Sequence, residues 1–231
     1  LLWVADIGTY SFWSLTTTGL VFYSGSVFIS DFGIVRKINS TTYNRISSYG
    51  HINGGTGLGH VNAKGLAIDA TRIYVANGGN AEIQILDHNL NYIASIVTNI
   101  SSIWMLTVDD NYIYALDEYD CVVVRFNKST YAYVDTKDNS FSTPKGIAVD
   151  STYLYVLDQN DGLRVVRFNK STMAYVDEYI DADWSIFGNP ESLYVDDNYL
   201  YVSDPGFTGR IHRIDKATMA YVDYLTLPDT D

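Results

Sequence analysis

Two segments of this chain are almost the same words. Val123-Val124-Arg125-Phe126-Asn127-Lys128-Ser129-Thr130, continued by Tyr131-Ala132-Tyr133-Val134-Asp135, returns nearly letter for letter at residues 165–177, and a looser copy occupies residues 211–223. Self-similarity at a long, nearly fixed period means that one supersecondary unit is stacked several times, because a single unit cannot bury its apolar face alone.

Aligning the residues that precede each copy exposes four short apolar runs per unit. In one unit they are residues 146–150, 153–158, 164–168 and 174–179. Each alternates or is continuously apolar and is bounded by Asn, Asp, Gly or Ser, the pattern of short strands joined by tight turns. The Asp that ends the first run recurs as Asp69, Asp109, Asp150 and Asp196, at spacings of 40, 41 and 46 residues. Those are the lengths of β-propeller blades. Complete units span residues 19–48, 65–100, 103–136, 145–180 and 191–227, and the first is in register because residues 19–31 match residues 65–77 without a gap. Before it, Leu1-Leu2-Trp3-Val4-Ala5-Asp6 reads as a second run, so residues 1–18 read as a partial blade. The expected fold is all-β, a single β-propeller domain over residues 1–231 of four-stranded antiparallel blades, six-bladed with one incomplete blade. That blade would lack its innermost strand, leaving unpaired backbone groups at a sheet edge. Residues beyond this chain, or a neighbouring subunit through strand complementation, would supply it. The chain opens Leu1-Leu2-Trp3 without an initiator Met, which suggests a processed or truncated product.

Hydrophobic residues make up 47% and charged residues 18%, which suits a packed core, and twenty Tyr within a 14% aromatic share suit strands and leave little place for helix. A formal net charge of −12 repels phosphate backbones, so nucleic acid is not an expected partner. No apolar run reaches the length of about 18 residues that spans a bilayer, so no membrane insertion is expected. Cys121 is the chain's one cysteine, which excludes an internal disulfide and reads as a small core residue opening a strand.

The turns carry their own logic. The Asn of Phe-Asn-Lys-Ser-Thr can bond its own backbone two residues on and start the hairpin between the third and fourth runs, and Asp215 can do the same. Asp135, Asp177 and Asp223 fall at matching positions in the outermost run, where charge would blunt an exposed edge.

Phe141-Ser142-Thr143-Pro144-Lys145-Gly146-Ile147-Ala148-Val149-Asp150, followed by Leu154-Tyr155-Val156-Leu157-Asp158, resembles the NHL-repeat pattern, in which Phe, Pro and Gly precede an apolar run ending in Asp. Phe187, Pro190 and Val195-Asp196 repeat it, with Ser192 in place of the Gly. Lys64-Gly65-Leu66-Ala67-Ile68-Asp69, with Ile73-Tyr74-Val75-Ala76-Asn77 and Glu82-Ile83-Gln84-Ile85-Leu86-Asp87, is similar both to NHL repeats and to the YVTN repeats of microbial surface proteins. The resemblance covers nearly the whole chain, although the unit at Ile103 lacks the Pro and Gly. It implies a propeller fold, which by itself hosts enzymes, binders and scaffolds alike.

Several residue groups are candidates for chemistry. His51 and His60 flank a glycine-rich stretch, where two imidazoles could hold a metal, although a Gly-rich spacer is what such repeats carry there. Asp117, Glu118, Asp120, Asp158, Asp161 and Asp204 follow the second runs on one face, and converging carboxylates could hold calcium, which takes six to eight oxygen ligands. Yet the Asp ending the second run recurs as Asp6, Asp31, Asp117, Asp158 and Asp204, and a residue needed in every unit usually serves a turn. Lactonase-like propellers converge Glu, Asn and Asp on a central calcium, and that set is not assignable here. A peptidylglycine lyase-like site needs channel histidines, and the chain has only four His, at positions 51, 60, 88 and 212. No nucleophile with an adjacent base stands out, so no catalytic residue and no cofactor other than calcium is a candidate. Asn39, Asn99, Asn127 and Asn169 open Asn-x-Ser/Thr glycosylation acceptors, against roughly 2.7 expected by composition.

The functional expectation is a non-enzymatic extracellular or cell-surface propeller with a structural, adhesive or assembly role in a filament or lattice, bound to protein partners that include its own copies. The alternatives are a calcium-dependent lactonase-like hydrolase and a ligand- or protein-binding sensor.

Overall fold

The computed structural model describes residues 17–31, 33–50, 63–98, 100–138, 140–159, 162–182, 185–206 and 209–226. They form twenty strands and, among the described residues, no helix. The first sheet holds β1 (Thr17–Tyr23), β2 (Ser26–Asp31), β3 (Ile34–Asn39) and β4 (Arg45–Gly50). The second holds β5 (Ala63–Ile68), β6 (Ile73–Asn77), β7 (Glu82–Leu86) and β8 (Tyr92–Val97). The third holds β9 (Ile103–Val108), β10 (Tyr112–Asp117), β11 (Val122–Asn127) and β12 (Tyr133–Lys137). The fourth holds β13 (Pro144–Val149), β14 (Tyr153–Gln159), β15 (Leu163–Asn169) and β16 (Ala174–Asp181). The fifth holds β17 (Ser192–Val195), β18 (Tyr199–Asp204), β19 (Arg210–Asp215) and β20 (Ala220–Thr226). In every sheet the spatial order follows the chain order, and the pairing is antiparallel, as in Val156 opposite both Ile147 and Val166.

This is an all-β propeller of five four-stranded antiparallel blades, which corrects the sixth, incomplete blade expected from residues 1–18. Residues 1–16 lie outside the described residues, and Thr17 is no remnant of a preceding unit: it pairs with Asp31 as the first residue of β1. A short apolar run ending in Asp, such as residues 1–6, reports strand character but not a pairing partner, so it cannot add a blade by itself. Each described blade also has its own innermost strand.

The chain divides into two compact units, residues 1–120 with 126–133, and residues 121–125 with 134–231. Within the first, β1 lies beside β5 and β5 beside β9; within the second, β13 lies beside β17. The core is what these neighbouring blades bury against each other. In the first unit Phe28 and Val35 of one blade pack with Leu66, Ile73, Val75 and Leu86 of the next. In the second, Tyr155, Leu157, Leu163 and Val165 pack with Phe187, Leu193, Leu200 and Val202. Glycine sits on the innermost strand where the next blade's strand comes closest: a Cβ on Gly65 would stand 2.7 Å from Met105 Cα, and one on Gly146 2.8 Å from Leu193 N.

The repeated aspartate and asparagine letters are turns. Asp150 Oδ1 accepts the N–H groups of Thr152 and Tyr153, both at 2.7 Å, and its Oδ2 accepts the Tyr155 hydroxyl at 3.0 Å. Asp69, Asp109 and Asp196 do the same with Tyr74, Tyr114 and Tyr201. In the hairpin of the opening phrase, Asn127 Oδ1 accepts the N–H groups of Ser129 and Thr130 at 3.0 and 2.9 Å, and Tyr131, at φ +60°, donates its N–H to the Asn127 carbonyl.

Cys121 departs from the core position expected of it: it is half-buried in the turn before β11, at φ +55°, with its thiol donating to the Ser142 carbonyl at 3.2 Å. Asp135, Asp177 and Asp223 are not bare edge charges either. Each receives a two-pronged bond from an arginine directly across the hairpin, Arg125, Arg167 and Arg213, at 2.5–2.9 Å.

Candidate functional site

The carboxylates proposed for calcium anchor loops. Asp117, fully buried, accepts N–H bonds from Ser101, Ser102, Tyr119 and Asp120. Asp158, also fully buried, accepts from Ser142 and Thr143 and pairs with Arg164 at 2.9 Å. Asp204 accepts from Gly188, Asn189 and Gly206. Their oxygen lone pairs therefore point at the loop entering each blade's first strand. Asp120 accepts the Ser101 hydroxyl at 2.6 Å. Among the described residues no group of three or more His, Cys, Asp or Glu side chains stands close enough together to hold a metal ion. Asp161, Asn99, His51 and His60 lie outside the described residues.

The acceptor asparagines Asn39, Asn127 and Asn169 all occupy the exposed hairpin turn between third and fourth strands. In each the Oδ1 caps the turn, while among the described residues the Nδ2 donates to no acceptor.

The polar network that joins blades has a fixed form. Arg125 Nη1 reaches past its own Asp135 to the carbonyls of Lys170 and Ser171, at 2.7 and 3.2 Å, in the hairpin turn of the next blade. Arg167 Nη1 reaches the Lys216 carbonyl at 2.6 Å in the same way. In return Lys128 pairs with Asp69 of the preceding blade at 3.1 Å while bonding the Asp109 carbonyl of its own, and Lys216 pairs with Asp150 while bonding Asp196. These contacts depress the aspartates. Burial pushes Asp69 up, but the Thr71 N–H, Lys128, Tyr74 and the Arg72 N–H together hold it down at about 2. Burial, and then the neighbouring carboxylates, push Tyr74 and Tyr155 far above their usual values.

The fifth blade carries the same outgoing groups without that use. Arg213 forks onto Asp223 and lies 4.9 Å over the Tyr199 ring, but among the described residues no hairpin carbonyl accepts from its Nη1. Tyr201, Ser203 and Ile211 are half-buried where the matching Tyr155, Leu157 and Val165 of the fourth blade are fully covered. Tyr194 is 66% exposed at the position of Ala148, which is 6% exposed. Together with Ser192, Leu193 and Asp196 these residues line a mainly apolar concavity of about 440 Å³. The face thus carries the same kinds of residue as a blade junction, aromatic and apolar, with Arg213 on the same strand as Ile211. Sequence reasoning passed over it, although one signal was present: the small Gly146 and Ala148 of the fourth blade become Ser192 and Tyr194 in the fifth.

No protein-family model matches the sequence, and no curated protein does. Among solved structures the chain is similar to Kuenenia stuttgartiensis hydrazine synthase, at a TM-score of 0.70 and 14% identity over 97% of this chain and 70% of that one. It is similar to a chain of the nidogen/laminin complex, at 0.72 and 13% over 92% and 81%, and to the Neurospora crassa Pan2 WD40 domain, at 0.66 and 14% over 90% and 65%. At these identities the likeness establishes the class, a β-propeller, and nothing finer.

Proposed function

We propose that this chain is a non-enzymatic propeller built of NHL- or YVTN-type repeats that works by binding protein, outside the cell or at its surface, in a structural, adhesive or assembly role. The observation that carries this reading is the exposed face of the fifth blade, where Tyr194, Tyr201 and Ile211 line an apolar concavity and Arg213 lies on the same strand as Ile211, over the Tyr199 ring. Aromatic residues and arginine are the side chains that protein interfaces favour at their centres. Two of the structural neighbours, the nidogen/laminin complex and the Pan2 WD40 domain, are compatible with a protein-contact role. The calcium-dependent alternative draws no support from Asp117, Asp158 and Asp204, whose oxygens are already engaged by backbone N–H groups. An extracellular setting also predicts added glycan mass at Asn39, Asn127 or Asn169 in native material.

The test is a photo-crosslinking amino acid placed at position 194 in the native cells, with position 133, 62% exposed on β12, as the control. A protein adduct through position 194 in excess of that control is expected; crosslinking no greater than the control defeats the reading.

A further inference from the structure

His212 of β19 is fully buried, at the position that Val124 and Val166 fill in the third and fourth blades. Its ring packs on the loop that joins the fourth blade to the fifth, and two buried carboxylates hold that loop. Asp181, at the end of β16, accepts the Ser185 hydroxyl at 3.0 Å and the Ile186 and Phe187 N–H groups at 3.0 and 3.3 Å. Asp204, at the end of β18, accepts the Gly188 N–H at 2.6 Å and the Asn189 N–H at 2.8 Å. His212 meets both halves of this arrangement. Its ring centroid is 4.2 Å from that of Phe187, and its Nε2 lies 3.4 Å from Asp204 Oδ2 without hydrogen-bond geometry and, among the described residues, without another partner.

The titratable groups around the imidazole are Asp204 on β18, Asp181 on β16, Arg210 on its own strand, and Tyr221 and Tyr224 on β20. Tyr179 of β16 adjoins Phe187. Nδ1 is 3.4 Å from the Tyr221 hydroxyl, and Arg210 lies 4.2 Å over the Tyr224 ring. Burial holds the imidazole below its ordinary value, against the pull of Asp204 and Asp181 and with the help of Arg210. A proton on His212 therefore calls for water that the packed ring lacks. Phe187 covers one face of that ring, so lifting the loop is the step that admits water.

We propose that residues 185–189 form an acid-operated latch, closed while His212 is neutral and released when His212 takes up a proton, with Phe187 leaving the ring and Gly188 and Asn189 leaving Asp204. Release frees the segment that enters β17. The fourth blade supplies an internal control: Asp158 accepts the Ser142 and Thr143 N–H groups in the same manner, but Val166 stands at the position of His212. The latch needs no partner, so it stands apart from the protein-contact reading above. A group shielded from protons when closed, and titrating near 6.5 when open, shifts the opening equilibrium about tenfold for each pH unit below that value.

Amide hydrogen exchange of the intact chain, resolved by NMR and divided by the intrinsic rate at each pH, reads the latch. Between about pH 7.5 and about pH 5.5 the protection of Gly188 and Asn189 should fall about tenfold, beginning near pH 6.5, while that of Ser142 and Thr143 holds. In His212→Val and in His212→Gln, the residue that the second blade places there as Gln84, protection of Gly188 and Asn189 should hold as well. Circular dichroism and melting at neutral pH check that each variant folds. Protection at Gly188 and Asn189 that does not change with pH overturns the proposal. So does an equal fall at Ser142 and Thr143, or the same fall in a folded variant. Should neither variant fold, the wild type decides: a fall that begins only near pH 4, where ordinary carboxylates titrate, overturns the latch, and one confined to the fifth-blade loop and beginning near pH 6.5 upholds it.

Discussion

Replacing Asp158 tests whether the aspartates that end the second strands hold loops or metal. The carboxylate is fully buried and accepts the Ser142 N–H at 3.0 Å and the Thr143 N–H at 2.8 Å, and its Oδ2 lies 2.9 Å from both Nε and Nη2 of Arg164. In Asp158→Ala the two N–H groups lose their acceptor, at about 1–3 kcal/mol each. Arg164 keeps the Ser140 carbonyl at 2.8 Å and Glu178 at 3.5 Å, which limits its share. A loss of about 3–5 kcal/mol follows, the range for breaking one side of a buried pair, or roughly 10–15 °C in melting temperature for a chain of this length. Asp158→Asn keeps the shape and one acceptor and should lose about half as much. Both are read by thermal unfolding in calcium-free buffer, with amide exchange at Ser142 and Thr143 as the local probe. The reasoning is refuted if Asp158→Ala melts within a degree or two of the wild type in the chelator while calcium raises the wild type and not the variant.

Further predictions concern titration and packing. His212 is fully buried, its Nε2 3.4 Å from Asp204 Oδ2 without hydrogen-bond geometry; burial lowers its pKa, and Arg210 adds to that, against the opposing pull of Asp204. The folded chain thus resists a proton that the unfolded chain accepts, so stability declines as pH falls below about 6.5. His212→Val, the residue that Val166 supplies in the fourth blade, should flatten that decline in urea titrations run across pH. Asp69 is held at about 2 when folded; its contribution is present above the ordinary carboxylate value of about 4 and lost as pH falls toward about 2, so Asp69→Asn should flatten stability across that window. Gly146→Ala would put a Cβ 2.8 Å from Leu193 N and should cost about 1–3 kcal/mol in chemical denaturation, whereas Ser192→Ala, on the open face, should change stability little.

Strand character was legible because it is local. The runs at residues 146–150, 153–158, 164–168 and 174–179 correspond to β13, β14, β15 and β16, and the Asp and Asn letters between them marked the turns they build. Blade count was not legible, since a strand-like run such as Leu1-Leu2-Trp3-Val4 carries no information about what it pairs with. The arginine forks were missed although Arg and Asp recur ten residues apart in all three copies of the phrase, because facing positions across a hairpin emerge only once the register is known: Arg167 opposes Asp177, and Arg213 opposes Asp223. The fifth-blade face was least visible of all. Tyr201 and Tyr155 are the same letter in the same motif, yet Tyr155 is fully buried and Tyr201 half-buried, a difference that no local pattern carries.

That difference is also where the account is most directly measured. Hydroxyl-radical footprinting of Tyr194, compared between the dilute purified chain and the native material, reports whether the fifth-blade face is used. High reactivity in the dilute chain and strong protection in the native state, with Tyr133 reactive in both, is the expected result. Tyr194 equally reactive in both states, or already protected in the dilute single chain, would contradict it.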